Sequence, residues 1–244
     1  SNTLDYGDEF PTYKTWKDKK AMASAISELL RFTKELFPKG EKSIYIPPSN
    51  VLSKEGREVL REKFPEIKSI ASNYFPGKFT YSQEFEVADD GMIEQPRIVS
   101  GASWDAYSKL TVFSELNMHY VTTHFLHPDD VMDEDRGAKL GWPKLYKDFQ
   151  SEIESLYKVV PNIRRLTGSE MAGAVQRYAI LTINQNRTDT GLELELGNFH
   201  NQAYVMIRLN EGEPGKVKGG KLEHLTGNLY LLEATSAKVS IEVK

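Results

Sequence analysis

The sequence predicts an α/β fold class: a partial or irregular (β/α) barrel followed by a small antiparallel β-sandwich. Two patterns in the 244 residues support this prediction. Up to about residue 160, short apolar runs alternate with segments of helical period, whereas later residues alternate strictly between apolar and polar. We therefore predict a barrel-like domain at 3–165, expected to be truncated at its N-terminus, and a β-sandwich accessory domain at 166–244.

The predicted elements of the first domain follow one another as helices and strands. Residues 17–37 form the first predicted helix, because apolar side chains recur at helical spacing until Pro38. The β-branched and aromatic run 43–47 predicts a buried strand. Further helices are predicted at about 52–64, 104–117 and 144–160, and further strands at 67–74 and 119–124. About four such units predict parallel strands under helices, roughly half of a closed barrel.

The second domain begins with a helix and continues with strands. Thr167-Gly-Ser-Glu170 has the spacing of a capping box and predicts a helix through Tyr178. Leucines at 192, 194 and 196 alternate with glutamates, and residues 238–243 repeat the alternation. Six short strands are predicted, separated by glycine-rich turns, and the 215–221 segment is interpreted as a hairpin.

Composition excludes several classes of protein. The net charge of -4 argues against a general nucleic-acid binder, which needs a dense basic face. The absence of cysteine excludes disulfides, thiolate zinc sites, iron–sulfur clusters and a cysteine nucleophile. No run approaches the ~18 apolar residues of a membrane span, so no transmembrane segment is predicted.

The segment 119–130 carries the main candidate site. His124 and His127 are placed at the end of a predicted strand and in the loop after it, where side chains of parallel α/β folds meet ligands. Together with Asp129 they are candidate ligands of a divalent metal such as zinc, or a general acid with its orienting carboxylate. A bare His-x-x-His spacing is also common among surface and packing residues. Asp130 is a further candidate to orient the histidines or complete a metal shell, and is equally a candidate helix N-cap.

Two further polar groups are candidate catalytic residues. Glu84 lies on a predicted strand between aromatic residues, where burial would raise its pKa. Arg97 is a candidate clamp for a carboxylate or an orienting partner of a catalytic acid, although arginines are more often surface charges.

Candidate substrate-binding residues point to sugars. The segment from Tyr45 to Asn50 stiffens a strand exit with two prolines and offers hydroxyl and amide groups that suit sugar hydroxyls. Exposed aromatic rings stack on the apolar faces of sugar rings, although such residues also build cores. The predicted substrate-binding residues are Tyr45, Pro48, Ser49, Asn50, Trp104 and Trp142.

Segments 44–50, 83–85, 95–101 and 123–129 carry a family resemblance. On them, the chain resembles a poorly characterised family of bacterial extracytoplasmic proteins grouped with polysaccharide deacetylase-like (β/α) barrels. In this resemblance His124 or His127 stands for the late histidine that serves as general acid. The paired-Asp and His-x3-His metal motifs are not visible in standard form, so the metal-binding aspartate is expected upstream of Ser1 or to have been lost.

The resemblance implies a deacetylase-like hydrolase that acts on an envelope or extracellular polysaccharide or oligosaccharide, in a secreted or envelope-attached protein. Two alternatives remain open at this point. One is a non-catalytic glycan-binding or assembly module. The other is a glycoside hydrolase with two carboxylates, such as Glu84 and Asp129, at hydrolytic separation.

Overall fold

The computed structural model of the chain describes residues 2–3, 14–40, 42–48, 52–71, 84–134 and 136–244. The chain divides into two compact units, Ser1–Ala172 and Gly173–Lys244. The fold is mixed, with 37% helix and 26% strand, and the described residues form no closed barrel. The predicted mixture of helix and sheet is therefore confirmed.

Side chains that precede the helices stabilise their first turns. Asp18, Ser53 and Asp105 each accept a hydrogen bond from a backbone N–H three residues later. The predicted capping box is confirmed, since Thr167 and Glu170 each accept from the other's backbone N–H. The helices are α1 Lys19–Leu36, α2 Lys54–Lys63, α3 Ala106–His119, α4 Gly141–Val159 and α5 Gly168–Ile180.

The strands of the first unit are short and parallel. They are β1 Asn2–Thr3, β2 Lys14–Thr15, β3 Ile44–Tyr45, β4 Ser69–Ile70, β5 Ile93–Glu94, β6 Val99–Ser100 and β7 His124–Phe125. Strand β1 pairs with β2, strands β3, β4 and β5 pair in chain order, and β6 pairs with β7. The predicted parallel pairing is confirmed. Because β5 and β6 are separated by only a few residues, one stretch of chain pairs first with β4 and then with β7.

The predicted strand at 119–124 is wrong over most of its length. Helix α3 continues to His119, and Tyr120 ends it in the left-handed conformation at φ 59°. The strand begins only at His124. The run was ambiguous because its first residue, His119, extends helix α3, in which Glu115 one turn earlier contacts the His119 ring.

Two apolar clusters hold the first unit together. Met22, Leu60 and Ile70 are fully buried where α1 and α2 pack on the sheet. Val99, Trp104, Val112 and Leu156 form a second cluster under α3 and α4.

A charged cluster is buried beside β5. Arg57 of α2 binds the carboxylates of Asp90 and Glu94, and the Glu94 side chain is only 2% exposed. Burial raises the pKa of Glu94, although Arg57 opposes this effect, whereas the hydrogen bond from Arg57 lowers the pKa of Asp90. The cluster fixes the strand end that leads to Arg97.

The second unit consists of the end of α5 and seven strands, in a range that the structure describes throughout. They are β8 Thr182–Thr188, β9 Gly191–Gly197, β10 Ala203–Arg208, β11 Pro214–Lys218, β12 Gly220–Thr226, β13 Leu229–Ala234 and β14 Lys238–Val243. They form two antiparallel sheets, ordered β11-β14-β9-β8 and β10-β13-β12. Buried residues of both sheets, among them Leu194, Ile241 and Leu232, share one core. Strand β8 lay outside the predicted strands because all of its residues are exposed and most are polar.

The predicted hairpin at 215–221 is wrong. Strand β11 pairs with β14 and strand β12 pairs with β13, so the chain crosses from one sheet to the other at this point. Gly219 makes the crossing at φ +80°, and a Cβ there would lie 2.2 Å from the Lys238 carbonyl oxygen. The Gly219-Gly220 pair indicates a sharp turn whether the chain forms a hairpin or crosses between sheets. The local sequence pattern therefore does not tell which sheet each flanking strand joins.

Candidate functional site

His127 lies two residues beyond β7 and contacts two arginines. Arg136 Nη1 is 2.5 Å from its Nδ1, and Arg97 Nη2 is 3.1 Å from its Nε2. Guanidinium groups only donate, and a neutral imidazole has one acceptor nitrogen, so only one of these contacts is a hydrogen bond. The shorter contact makes Nδ1 the acceptor.

Arg97 is held against an aromatic ring of the parallel strand pair. Its Cζ lies 3.5 Å from the centroid of the Phe125 ring, and Phe125 ends β7. Burial and the nearby charge of Arg136 lower the pKa of Arg97 from its ordinary value. Arg97, which lies between β5 and β6, is thus placed beside His127 in the loop that follows β7.

Three potential metal ligands converge in this loop. His127, Asp129 and Asp130 each offer a ligand atom, and these atoms lie within 4.8 Å of one another. Asp130 is buried and Asp129 is exposed, so one side of the group faces solvent. Zinc binds nitrogen and carboxylate oxygen at about 2.0–2.2 Å, so the ligand atoms of a tetrahedral site are about 3.4 Å apart, and these three atoms would have to approach one another to bind it.

Arg136 occupies the position that a cation would take in this group. Its Nη1 contacts both His127 Nδ1 and Asp130 Oδ1, the latter at 3.2 Å, and its Nε lies 3.4 Å from Asp133 Oδ2. The donor set of imidazole nitrogen and carboxylate oxygen therefore already binds a positive charge. A metal ion at His127 Nδ1 requires Arg136 to move away.

His124 lies in an aromatic environment, outside the group of three ligands. Its ring stacks on Phe149 at 5.4 Å and meets the edge of Trp104 at 5.3 Å. Its Nε2–H donates to the Gly101 carbonyl oxygen at 2.7 Å, and burial lowers its pKa. This setting favours a neutral ring that packs β7 against its surroundings.

Glu84 has a histidine partner that the sequence did not indicate. Its Oε2 lies 2.7 Å from Nε2 of His119, while Glu115 Oε2 lies 2.7 Å from Nδ1 of the same ring. The Glu84 side chain is exposed. The structure thus places Glu84 in a carboxylate–imidazole–carboxylate group at the end of α3.

The predicted substrate-binding residues do not form one surface. Tyr45 packs against the first apolar cluster and Pro48 is half-buried, while Ser49 and Asn50 lie outside the described residues. Trp104 is 7% exposed and belongs to a core, which leaves little of its ring for a sugar. Trp142 is 60% exposed, and its ring lies 5.5 Å from that of Tyr146 on the same face of α4.

Asp130, which its place in the sequence made a candidate to complete a metal shell, belongs to the group of three ligands, whereas Arg136 was outside the set predicted from sequence. Asp130 is three residues after His127 and accepts from its backbone N–H, a capping spacing that the sequence does contain. Arg136 carries no local pattern that ties it to His127, because the loop between them must fold back to bring the two together.

No helix among the described residues has both the length and the apolar character needed to cross a bilayer.

Comparison with known proteins identifies a family for the chain. No curated protein and no solved structure matches the chain. The model of a family described as an uncharacterised protein conserved in bacteria (DUF2194) matches residues 5–231. Nothing in these comparisons ties that family to polysaccharide deacetylases. Since the match covers well over half of the sequence, the chain belongs to the DUF2194 family of uncharacterised bacterial proteins.

Proposed function

We propose that this chain is a carbohydrate-active hydrolase that removes N-acetyl groups from an envelope or extracellular glycan, with a divalent metal held by His127, Asp129 and Asp130. The observation that carries the proposal is the convergence of these three side chains just beyond a parallel strand. Ligands of open α/β sheets bind at the carboxyl ends of the strands. A secreted or envelope location follows from the proposed substrate.

Each side chain has a role that its surroundings support. A bound divalent ion supplies a Lewis acid and an acidified water. Asp129 is exposed and therefore accessible to substrate, whereas Asp130 is anchored by the His127 backbone N–H. Arg97, held over Phe125, offers a fixed positive charge that would stabilise negative charge developing on the amide oxygen.

The proposal includes a finer description of the fold. We assign the first unit to an open, incomplete (β/α) barrel, supported by the chain-order pairing of β3, β4 and β5. We assign the second unit to a β-sandwich, supported by the core that its two sheets share.

Metal binding and acetate release test the proposal together. Zinc affinity is measured by competition with a chromophoric chelator, and acetate release is measured with chitin-type oligomers. Asp129→Asn should weaken zinc binding by at least ~10-fold and abolish zinc-dependent acetate release, because it removes a charged ligand. Glu134→Gln is the matched control, since Glu134 is an exposed carboxylate in the same loop but outside the group of three ligands.

Two results would contradict the proposal. One is a wild-type chain that neither binds zinc nor releases acetate. The other is equal loss in Asp129→Asn and Glu134→Gln, which would indicate a general effect of loop charge. Thermal unfolding of both variants shows whether the fold is retained.

A non-catalytic glycan-binding module is the second candidate function, and one observation favours it. Trp142 and Tyr146 form an exposed aromatic pair, a surface on which sugar rings stack. Glycan binding that is lost in Trp142→Ala, without zinc-dependent acetate release by the wild type, would support this candidate instead. The two-carboxylate hydrolase remains a prediction, with Glu84 now found beside His119.

A further inference from the structure

The outer face of the four-stranded sheet in the second unit carries a groove. Its volume is about 520 Å³, within the range of small-molecule sites. An adjoining hollow of about 170 Å³ shares Glu193, Lys218 and Ser240 with it. Leu194 and Val239 also border the groove, but their side chains point into the core. Because side chains alternate between the two faces of a strand, the groove is lined by the polar residues on either side of them.

Strand register arranges these polar side chains in rows across the sheet. Glu195 is opposite Asn184 on one side and Lys238 on the other. The next row contains Asn186, Glu193, Ser240 and Lys218. Rows of one face are two residues apart, or about 6.8 Å. Hydrogen-bond donors and acceptors therefore recur in both directions of the groove.

The charged side chains of the groove are not used to bind one another. Glu195 and Lys238 are direct neighbours across strands, yet among the residues described in this unit neither makes a side-chain hydrogen bond or ion pair, and the same holds for Glu193 and Lys218. Their side chains are exposed, so carboxylate, amide and ammonium groups are all accessible to a ligand.

The chemistry of the groove selects the class of ligand. The negative charges of two glutamates balance the positive charges of two lysines. A groove without net charge disfavours the binding of a polyanion, such as a nucleic acid, and also of a polycation. The polar rows offer little to an apolar ligand. Sugar hydroxyls both donate and accept hydrogen bonds, and therefore suit a surface that alternates carboxylates, amides and ammonium groups.

We infer that this face is a glycan-binding site for a neutral oligosaccharide, separate from the His127 site and independent of the proposed hydrolysis. The ligand is held by hydrogen bonds from the rows of Glu193 and Glu195. Because the ligand carries no net charge, its affinity should change little between low and high salt.

The experiment maps binding on the isotope-labelled full chain by NMR, with chitin-type oligomers and neutral glucan oligomers as probes. We expect concentration-dependent shifts of backbone amides in 184–186, 193–195 and 238–240. Glu193→Ala should raise the Kd of the bound probe about 10-fold or more, since it removes hydrogen bonds to a charged acceptor. Glu223→Ala, an exposed glutamate on the other sheet, is the matched control and should leave Kd unchanged.

Three results would overturn the inference. The first is the absence of shifts in these segments with every neutral probe. The second is an equal loss of affinity in the Glu193 and Glu223 variants. The third is binding of an acidic oligosaccharide at this face that is stronger than that of any neutral probe and weakens steeply with salt. None of these results bears on zinc binding at His127, so the two proposals fail separately.

Discussion

Replacing Arg57 with methionine tests the buried charge cluster of the first unit. Arg57 is the partner of both Asp90 and Glu94, and its removal leaves the Glu94 carboxylate without its counter-ion at 2% exposure. Breaking a buried ion pair in this way costs about 3–5 kcal/mol. At roughly 2–4 °C per kcal/mol for a unit of this size, the Tm of the first unit should fall by roughly 6–20 °C.

The pH dependence of the same variant has a definite sign. Burial raises the pKa of Glu94 in the folded state, so its ionisation destabilises the fold as the pH rises through that pKa. The pKa of Asp90 is lowered, so the stability it contributes is present at neutral pH and is lost as the pH falls. Arg57 stabilises the fold by neutralising the negative charges of Asp90 and Glu94, and these charges disappear when the two carboxylates are protonated at low pH. The stability difference between wild type and variant should therefore narrow as the pH falls towards about 4.

Calorimetry of the whole chain provides the assay. Arg31→Met is the matched control: Arg31 also binds two carboxylates, but its side chain is 57% exposed, and its variant should unfold nearly as wild type does. Similar losses in the two variants, or a difference that widens at low pH, would refute the reasoning.

Three shorter predictions concern single residues. Arg136→Gln should bind zinc roughly 10-fold or more tightly than wild type in the chelator assay, because it removes a competing positive charge; unchanged affinity would show that Arg136 does not occupy the cation position. Gly219→Ala should lower the stability of the second unit by more than about 1 kcal/mol. Gly227→Ala should cost less, because a Cβ at Gly227 meets open space, and a larger loss of thermal stability in Gly227→Ala would contradict the crossover geometry. Trp142→Ala should change stability by less than about 0.5 kcal/mol and reduce migration shifts in glycan-containing gels; a large loss of stability with unchanged migration would assign the ring to packing.

Local patterns of the sequence predicted most helices and the parallel pairing. Apolar spacing located α1 and α4, and the Thr167–Glu170 spacing located the start of α5, because each depends on residues within one or two turns. Strand β8 could not be found in this way. Its exposure on both faces removes the alternation by which a strand is recognised.

The candidate site could be predicted only in part, for a related reason. His127 and Asp129 are close in sequence, so their loop was recognisable. The different settings of His124 and His127 were not, because they depend on Phe149 and Arg136, which other elements supply. Exposure of Trp142 and burial of Trp104 likewise follow from the packing of α3 and α4, which residue type alone does not specify.

The position of β14 has a consequence for the order of assembly during synthesis. It comes last among the strands of the second unit, yet it lies between β11 and β9 in its sheet. A nascent chain emerging from the ribosome can pair β8 with β9 early, but β11 has no neighbour in its sheet until residues 238–243 have emerged. This sheet is therefore complete only once residues 238–243 have emerged, and until then the side of β9 that pairs with β14 is open.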